Sequence, residues 1–164
     1  IGTVVDIDEY KLNWFKWLRR GQVNTVCAAV VDSPKGKGSS KVYKFDTHKG
    51  GWSLIDTLDK KVAINNRAKG WGNFKEENIN TIDINTLLDS LPIVNFLSID
   101  IEGMDTKIVS KIDLSKYKIE LILFEDNDNA SGAFQLDEKL KKEGYYHLFS
   151  SGGSICYALK RINI

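Results

Sequence analysis

The sequence predicts an α/β fold with a mostly parallel sheet, helices on both faces and a C-terminal antiparallel hairpin. Short β-branched runs alternate with segments of helical periodicity along most of the chain, an order typical of parallel sheets. The last two strand-like runs are joined by SSGGS, which predicts a tight turn. The 164 residues contain no internal repeat and no low-complexity linker, so we expect one domain over residues 1–164.

The first half of the chain is predicted to contain three strands and two helices. They are a strand over 2–7, a helix over 9–20, a strand over 23–31, a turn over 33–40, a hairpin strand over 41–45 and a loop with a short helix over 52–74. The first helix has apolar residues at helical spacing, and we expect Trp14 and Trp17 among them to lie in the core. The strand over 23–31 is apolar and β-rich, which is typical of a strand covered on both faces.

The second half shows a more regular alternation. We predict a strand over 80–84, a helix over 85–91, a strand over 94–101, a helix over 104–112, a strand over 119–124, a helix over 134–142, and strands over 145–149 and 154–160. Pro92 ends the first of these helices, and Gly144 is a fitting stop for the last. The final two strands are expected to form the closing hairpin.

Composition excludes several classes of protein. Lys and Arg number 23 against 22 Asp and Glu, a formal net charge of +1, which argues against a dedicated nucleic-acid or polybasic membrane binder. Cys27 and Cys156 cannot form a disulfide framework and lie in apolar runs, so we expect buried packing. With no apolar run near the roughly 20 residues of a membrane span and no signal peptide, a cytoplasmic setting is expected.

Three of the predicted parallel strands end in carboxylates. These are Asp6 and Asp8, Asp100 and Glu102, and Glu125 and Asp126. Ligands of open α/β sheets bind outside the carboxyl ends of the strands, where such acids can hold ribose hydroxyls, bind a cation or accept a proton. A simpler explanation is that strand ends become polar where the chain leaves the core. Gly103 after the second pair allows a close approach of ligand or backbone and favours a functional role there.

Weaker signals lie elsewhere. Lysines at 35, 37, 41, 44 and 49 make one stretch basic, which fits either an anionic substrate or a solvated hairpin edge that discourages strand pairing. Trp71, within KGWGN, is the better candidate for an exposed contact. His48 lies in a glycine-flanked loop and is a possible base near neutral pH. With only two histidines and no regular spacing, no zinc site is expected.

Residues 94–127 (VNFLSIDIEGMDTKIVSKIDLSKYKIELILFEDN) closely resemble the signature of FkbM-type methyltransferases. That signature pairs a strand ending in a DVEG-like motif with a helix, a connection through a Lys-Tyr pair and a strand ending in Glu. The upstream TIDINTLLDSL resembles the element that precedes it. Residues 4–33 are similar to the family's second strand, its helix and its third strand. The resemblance therefore covers most of the chain and is most specific at SIDIEG.

The resemblance implies a class I methyltransferase-like, Rossmann-like fold that uses S-adenosylmethionine to methylate an oxygen, often on a sugar or a natural product. Carried over residue by residue, it implies that Asp6 holds the cofactor ribose and that Asp32 lies near the adenine amino group. It places Asp100 and Glu102 by the cofactor's methyl group, as proton acceptors or as groups that position the substrate, with Glu125 flanking the same mouth. A carbohydrate or other small molecule is the implied partner.

The sequence departs from the family pattern at its start. The family has a glycine-rich turn after its first strand. Residues 2–7 are followed instead by Asp8 and Glu9, so that turn is missing. We therefore assign residues 2–7 to the second strand of the family's 3-2-1-4-5-7-6 sheet and expect the chain to lack the N-terminal part of the domain. Two alternatives to methyl transfer stay open. The missing glycine turn suggests a non-catalytic remnant that serves as a binding or scaffold module. The acids Asp100, Glu102 and Glu125 suggest a carboxylate-bound divalent metal that supports hydrolytic or transfer chemistry.

Overall fold

The computed structural model describes residues 2–32, 37–46, 55–101, 104–126 and 132–160. The chain divides into two compact units. The first contains Ile1–Ala29 and Gly36–Ile82, and the second contains Val30–Lys35 and Asp83–Ile164. The expectation of a single domain stays a prediction.

The first unit opens with a β-α-β motif. Strand β1 (Gly2–Asp6), helix α1 (Glu9–Leu18) and strand β2 (Val23–Cys27) follow one another, and the two strands pair in parallel with Asp6 opposite Cys27. The helix begins after Asp8, whose carboxylate accepts hydrogen bonds from the backbone N–H groups of Tyr10 and Lys11 and so caps two donors that no helical turn can satisfy.

Helix α1 presents its aromatic side chains outward. Leu12 is its buried residue, at 3% exposure, whereas Trp14 and Trp17 are 38% and 71% exposed. The prediction that both tryptophans lie in the core is wrong. Apolar side chains occupy several faces of this helix, so its periodicity does not determine which face packs inward.

The predicted strand over 23–31 is two strands. A bend at Ala28 separates β2 from β3 (Ala29–Val31). The backbone N–H of Ala28 donates to the carbonyl of Asp6 at 3.1 Å, so the bend is tied to the end of β1. Cys156 is buried as expected, but Cys27 at the end of β2 is only partly so.

The rest of the first unit is built on a long antiparallel pair. Strand β4 (Lys37–Phe45) pairs with β5 (Phe74–Asp83), with Phe45 opposite Phe74. Helix α2 (Lys60–Ala68) lies between them in sequence and confirms the expected short helix. Residues 37–40, predicted as part of a turn, are strand, and β5 begins at Phe74 rather than at the predicted position 80. Tyr43, Phe45 and Ala63 form a buried cluster against Ile55 and Phe74.

The second unit carries a four-stranded mixed sheet. In chain order it contains α3 (Ile84–Asp89), β6 (Phe96–Ile99), α4 (Asp105–Lys111), β7 (Leu121–Glu125), α5 (Gly132–Lys142), β8 (Tyr145–Ser151) and β9 (Ser154–Leu159). The strand order is β6-β7-β9-β8, with β6 parallel to β7 and β9 antiparallel to both neighbours. The predicted closing hairpin is confirmed, and Gly152 and Gly153 form its turn at positive φ.

The observed fold is therefore a mixed α/β fold, and the predicted mostly parallel sheet is not confirmed. The core of the second unit contains residues from α4, β7, α5 and the segments between them. Its most buried members include Ile108, Val109, Ile112, Leu114, Ile119, Ile122 and Leu140. Within the described ranges, no helix is long and apolar enough to cross a membrane.

Candidate functional site

Two predicted site residues meet at the carboxyl edge of the second unit's sheet. The parallel register pairs Ile99 of β6 with Phe124 of β7, so the next residues, Asp100 and Glu125, stand side by side on adjacent strands. Asp100 is exposed and Glu125 is half-buried. Glu102, the third predicted acid, lies outside the described residues. At least two carboxylates therefore lie at this edge of the sheet.

A buried acid that the sequence analysis missed connects the two strand ends. Asp105, the first residue of α4, is 2% exposed. Its Oδ2 accepts from the N–H of Ile101 at 3.4 Å and its Oδ1 accepts from the N–H of Glu125 at 3.5 Å. Burial raises the pKa of Asp105, against the opposing effect of these backbone donors. One side chain thus links the backbone beside Asp100 to the backbone of Glu125.

A signal for Asp105 is present in the sequence. It stands three and four residues before Ile108 and Val109, both fully buried, and therefore shares their helix face. An acid on the apolar face of a short helix, just after a strand, must be hydrogen-bonded to be tolerated there. That pattern indicates a positioning role.

The closing hairpin borders the same edge. Glu125 lies opposite Ser154 in the sheet, and the N–H of Asp126 donates to the carbonyl of Gly153 at 2.8 Å. A shallow hollow of about 340 Å³ lies here, lined by Asp126 and residues 150–155. Three of its lining residues are serines, and Ser150 Oγ is 2.7 Å from His147 Nε2. The hollow is open, and its lining presents both polar and apolar groups.

Asp6, the predicted ribose acid, lies at the end of β1 in the first unit. Its Oδ1 accepts from the backbone N–H of Asp8 at 2.8 Å, which fixes the carboxylate at the turn into α1. Its opposite neighbour Cys27 donates a weak hydrogen bond to the carbonyl of Ile7 at 3.9 Å. Burial raises the pKa of this thiol, so Cys27 stays protonated at neutral pH and packs at the strand end.

Asp32, the predicted adenine neighbour, is held by two lysines of α4. Its Oδ2 is 3.0 Å from Lys107 Nζ and its Oδ1 is 3.5 Å from Lys111 Nζ. The hydrogen bond from Lys107 lowers the pKa of Asp32, so it is ionised at neutral pH. Lys107 and Lys111 are four residues apart on the helix that begins at Asp105, so this ion pair lies within the same unit as Asp100 and Glu125. That Asp6 lies near Asp100 and Glu125 stays a prediction.

The weaker sequence signals have mixed outcomes. Trp71 is 51% exposed, as predicted, and Lys69 Nζ lies 5.2 Å from its ring centroid. Lys41 and Lys44 pair with Glu76 and Glu77 of the neighbouring strand, which fits the solvated hairpin rather than an anion site. His48, Lys35 and Lys49 lie outside the described residues. Across the described part of the chain, no three His, Cys, Asp or Glu side chains are grouped to hold a metal ion.

Comparison with protein families identifies a match over most of the chain. The family described as "Methyltransferase FkbM domain" matches residues 12–146. This range begins within α1, at Leu12, and includes the Asp32 ion pair and both carboxylates at the ends of β6 and β7. Neither the curated proteins nor the solved structures give a match.

Proposed function

The chain belongs to the FkbM methyltransferase family, and we propose that it transfers a methyl group from S-adenosylmethionine to a hydroxyl oxygen of a carbohydrate or other small molecule. The observation that carries this proposal is the pair of carboxylates, Asp100 and Glu125, at the carboxyl ends of two adjacent parallel strands. This edge is where open α/β sheets bind their ligands.

The strand order supports a class I arrangement. The order β6-β7-β9-β8, with β9 antiparallel, corresponds to strands 4-5-7-6 of the sheet order 3-2-1-4-5-7-6. The parallel neighbours β1 and β2 likewise correspond to strands 2 and 3. On this assignment Asp6 ends the second strand, and Asp100 and Glu125 mark the ends of the fourth and fifth.

The chemistry of Asp6 fits an adenosyl cofactor. Its Oδ1 is engaged by Asp8, while among the described residues no hydrogen bond is made to its Oδ2. An ionised carboxylate accepts strong hydrogen bonds from hydroxyl groups, so Asp6 would hold the ribose diol. When bound, the cofactor supplies a methyl group already activated by its sulfonium.

The acids of the carboxyl edge would act on the methyl acceptor. With the methyl group activated, the protein must mainly align the acceptor hydroxyl and hold or accept its proton. Asp100 and Glu125 would do so, with Glu102 two residues after Asp100 in the sequence. Asp105 does not face the acceptor in this proposal. It keeps the two strand ends in register through its backbone hydrogen bonds.

Calorimetric titration of the chain with S-adenosylhomocysteine tests the cofactor assignment. We expect binding that weakens about tenfold in Asp6→Asn, because one charge-assisted hydrogen bond is lost. Asp46→Asn is the matched control, since Asp46 is an exposed acid of the same unit, paired only loosely with Lys75 at 3.4 Å. An absence of binding would refute the proposal and favour the non-catalytic binding module.

Transfer of a labelled methyl group to a panel of saccharides tests the reaction itself. We expect Asp100→Asn and Glu125→Gln to lower the transfer rate while leaving the affinity for S-adenosylhomocysteine within about twofold of wild type. Equal transfer rates in wild type and both variants would show that these carboxylates do not act on the acceptor.

A further inference from the structure

Helix α1 carries an apolar face directed away from its own unit. We define the α1 outer face as Tyr10, Trp14, Trp17 and Leu18. These positions recur at the spacing i, i+4, i+7 and i+8, which places them on one side of a helix. Leu12, the buried residue of α1, lies on the opposite side. Tyr10, Trp17 and Leu18 are 61%, 71% and 53% exposed.

The two tryptophans of this face lie against each other. The ring centroids of Trp14 and Trp17 are 5.2 Å apart in an edge-to-face arrangement. Adjoining exposed apolar side chains are typical of interaction sites. Trp and Tyr combine an apolar ring with one polar group, and both are enriched where a membrane meets water.

Positive charge is concentrated beside the most exposed part of the patch. Residues 16–20 read KWLRR and contain three cations and no acid. Lys16, Arg19 and Arg20 are all exposed, and no acidic partner is found for them among the described residues. The acids of this region, Asp8 and Glu9, lie at the other end of the helix, where Asp8 caps it.

We propose that α1 docks in the plane of an anionic phospholipid membrane, with Trp17 and Leu18 inserted at the headgroup level and Arg19 and Arg20 contacting lipid phosphates. A short amphipathic helix with aromatic residues on one face and cations at its margin is suited to lie in this interface. The proposal goes beyond the methyltransferase assignment. It also departs from the argument against a polybasic membrane binder, which rested on the net charge of the whole chain.

Charge favours a lipid surface over a second copy of the chain. Two-fold packing of the exposed Trp17 and Leu18 ends would bring the KWLRR segments of both copies together, and their like charges would repel. Anionic headgroups neutralise the same cations, and each Lys or Arg near such a surface strengthens binding. The membrane therefore satisfies both the apolar and the charged parts of the patch.

Co-sedimentation of the chain with vesicles tests this proposal. We expect binding to vesicles of phosphatidylcholine with phosphatidylglycerol, weakening with added salt, and little binding to phosphatidylcholine alone. The variant Trp17→Ser/Leu18→Ser should lower the partition coefficient by about tenfold or more. Trp71→Ser is the matched control, because Trp71 is a similarly exposed tryptophan outside α1.

A charge variant provides an independent arm. Arg19→Gln/Arg20→Asn removes two cations, and Asn suits position 20 because Arg20 has a φ of 49°. We expect it to weaken vesicle binding, while Lys61→Gln/Lys142→Gln, a loss of two exposed lysines elsewhere, leaves binding near wild type. Equal binding to both vesicle types, or an unchanged partition coefficient in both α1 variants, would overturn the proposal. A dimer in sedimentation that Trp17→Ser/Leu18→Ser dissociates would assign the patch to self-association instead.

Discussion

Asp105 provides the sharpest test of how the carboxyl edge is held. In Asp105→Ala, the backbone N–H groups of Ile101 and Glu125 lose their acceptor inside the protein. An unsatisfied buried donor costs about 1–3 kcal/mol. Because both hydrogen bonds are long, at 3.4 and 3.5 Å, the lower end applies to each. We therefore expect a loss of about 2 kcal/mol, which is a fall in Tm of roughly 4–8 °C for a chain of this length.

The measurement is unfolding by urea and by heat, followed by calorimetric titration with S-adenosylhomocysteine. Tyr145→Phe is the matched control. The buried Tyr145 hydroxyl donates to the carbonyl of Ile119 at 2.7 Å, two residues before β7 begins and so away from the end of the strand at Glu125. Both variants should be less stable, but only Asp105→Ala should also weaken ligand binding or slow methyl transfer. An unchanged urea midpoint for Asp105→Ala would contradict the linking role of Asp105.

The same residue gives a pH dependence of known sign. Burial raises the pKa of Asp105 in the folded state. The contribution of Asp105 to the free energy of unfolding is therefore fully present below its pKa in the unfolded chain, which is near 4. That contribution is lost as pH rises through the folded pKa. Asn does not titrate, so the stability difference between wild type and Asp105→Asn should narrow as pH rises from about 4. A difference that widens over this range would contradict the assigned direction.

Three further outcomes are expected. Asp32→Asn should lower the free energy of unfolding at neutral pH, because the pair with Lys107 needs the ionised acid. The difference in stability from wild type should vanish as pH falls through the lowered pKa of Asp32, and urea unfolding at several pH values measures it. Tyr157→Phe should cost about 1 kcal/mol in urea unfolding, since its hydroxyl donates to Asp137 Oδ1 at 2.8 Å. Leu12→Ala should cost about 2–4 kcal/mol by the same measurement, because Leu12 is 3% exposed.

The elements of the second unit are largely predictable from the sequence. β7 and β9 are apolar runs with clear turn signals at their ends, and the double glycine of the final turn adopts the positive φ that glycine permits. The helix before Pro92 ends at Asp89 rather than Leu91. Errors of this kind concern boundaries, because the last turn of a helix and the first pair of a strand depend on neighbours that are distant in sequence.

The first unit is less predictable because its patterns permit more than one structure. Residues 37–40 (KGSS) are typical of a turn, yet the long antiparallel pairing with β5 extends them into strand. Large apolar side chains are usually buried, so the sequence predicts Trp14 and Trp17 in the core. Tertiary packing instead selects the Leu12 side of α1. Local sequence cannot supply that choice, because both sides of the helix are apolar.

The candidate site shows the same division between position and environment. Sequence pattern places Asp100 and Glu125 at strand ends, and the parallel register of β6 and β7 brings these positions together. The same reasoning proposes Asp32 as a cofactor acid, but two lysines of α4 already stabilise its carboxylate. A hydrogen bond from an adenine amino group would have to compete with those cations or share an oxygen with one of them. An acid's place on a strand thus follows from sequence pattern, whereas its availability to a ligand depends on which cations and backbone donors the fold brings to it.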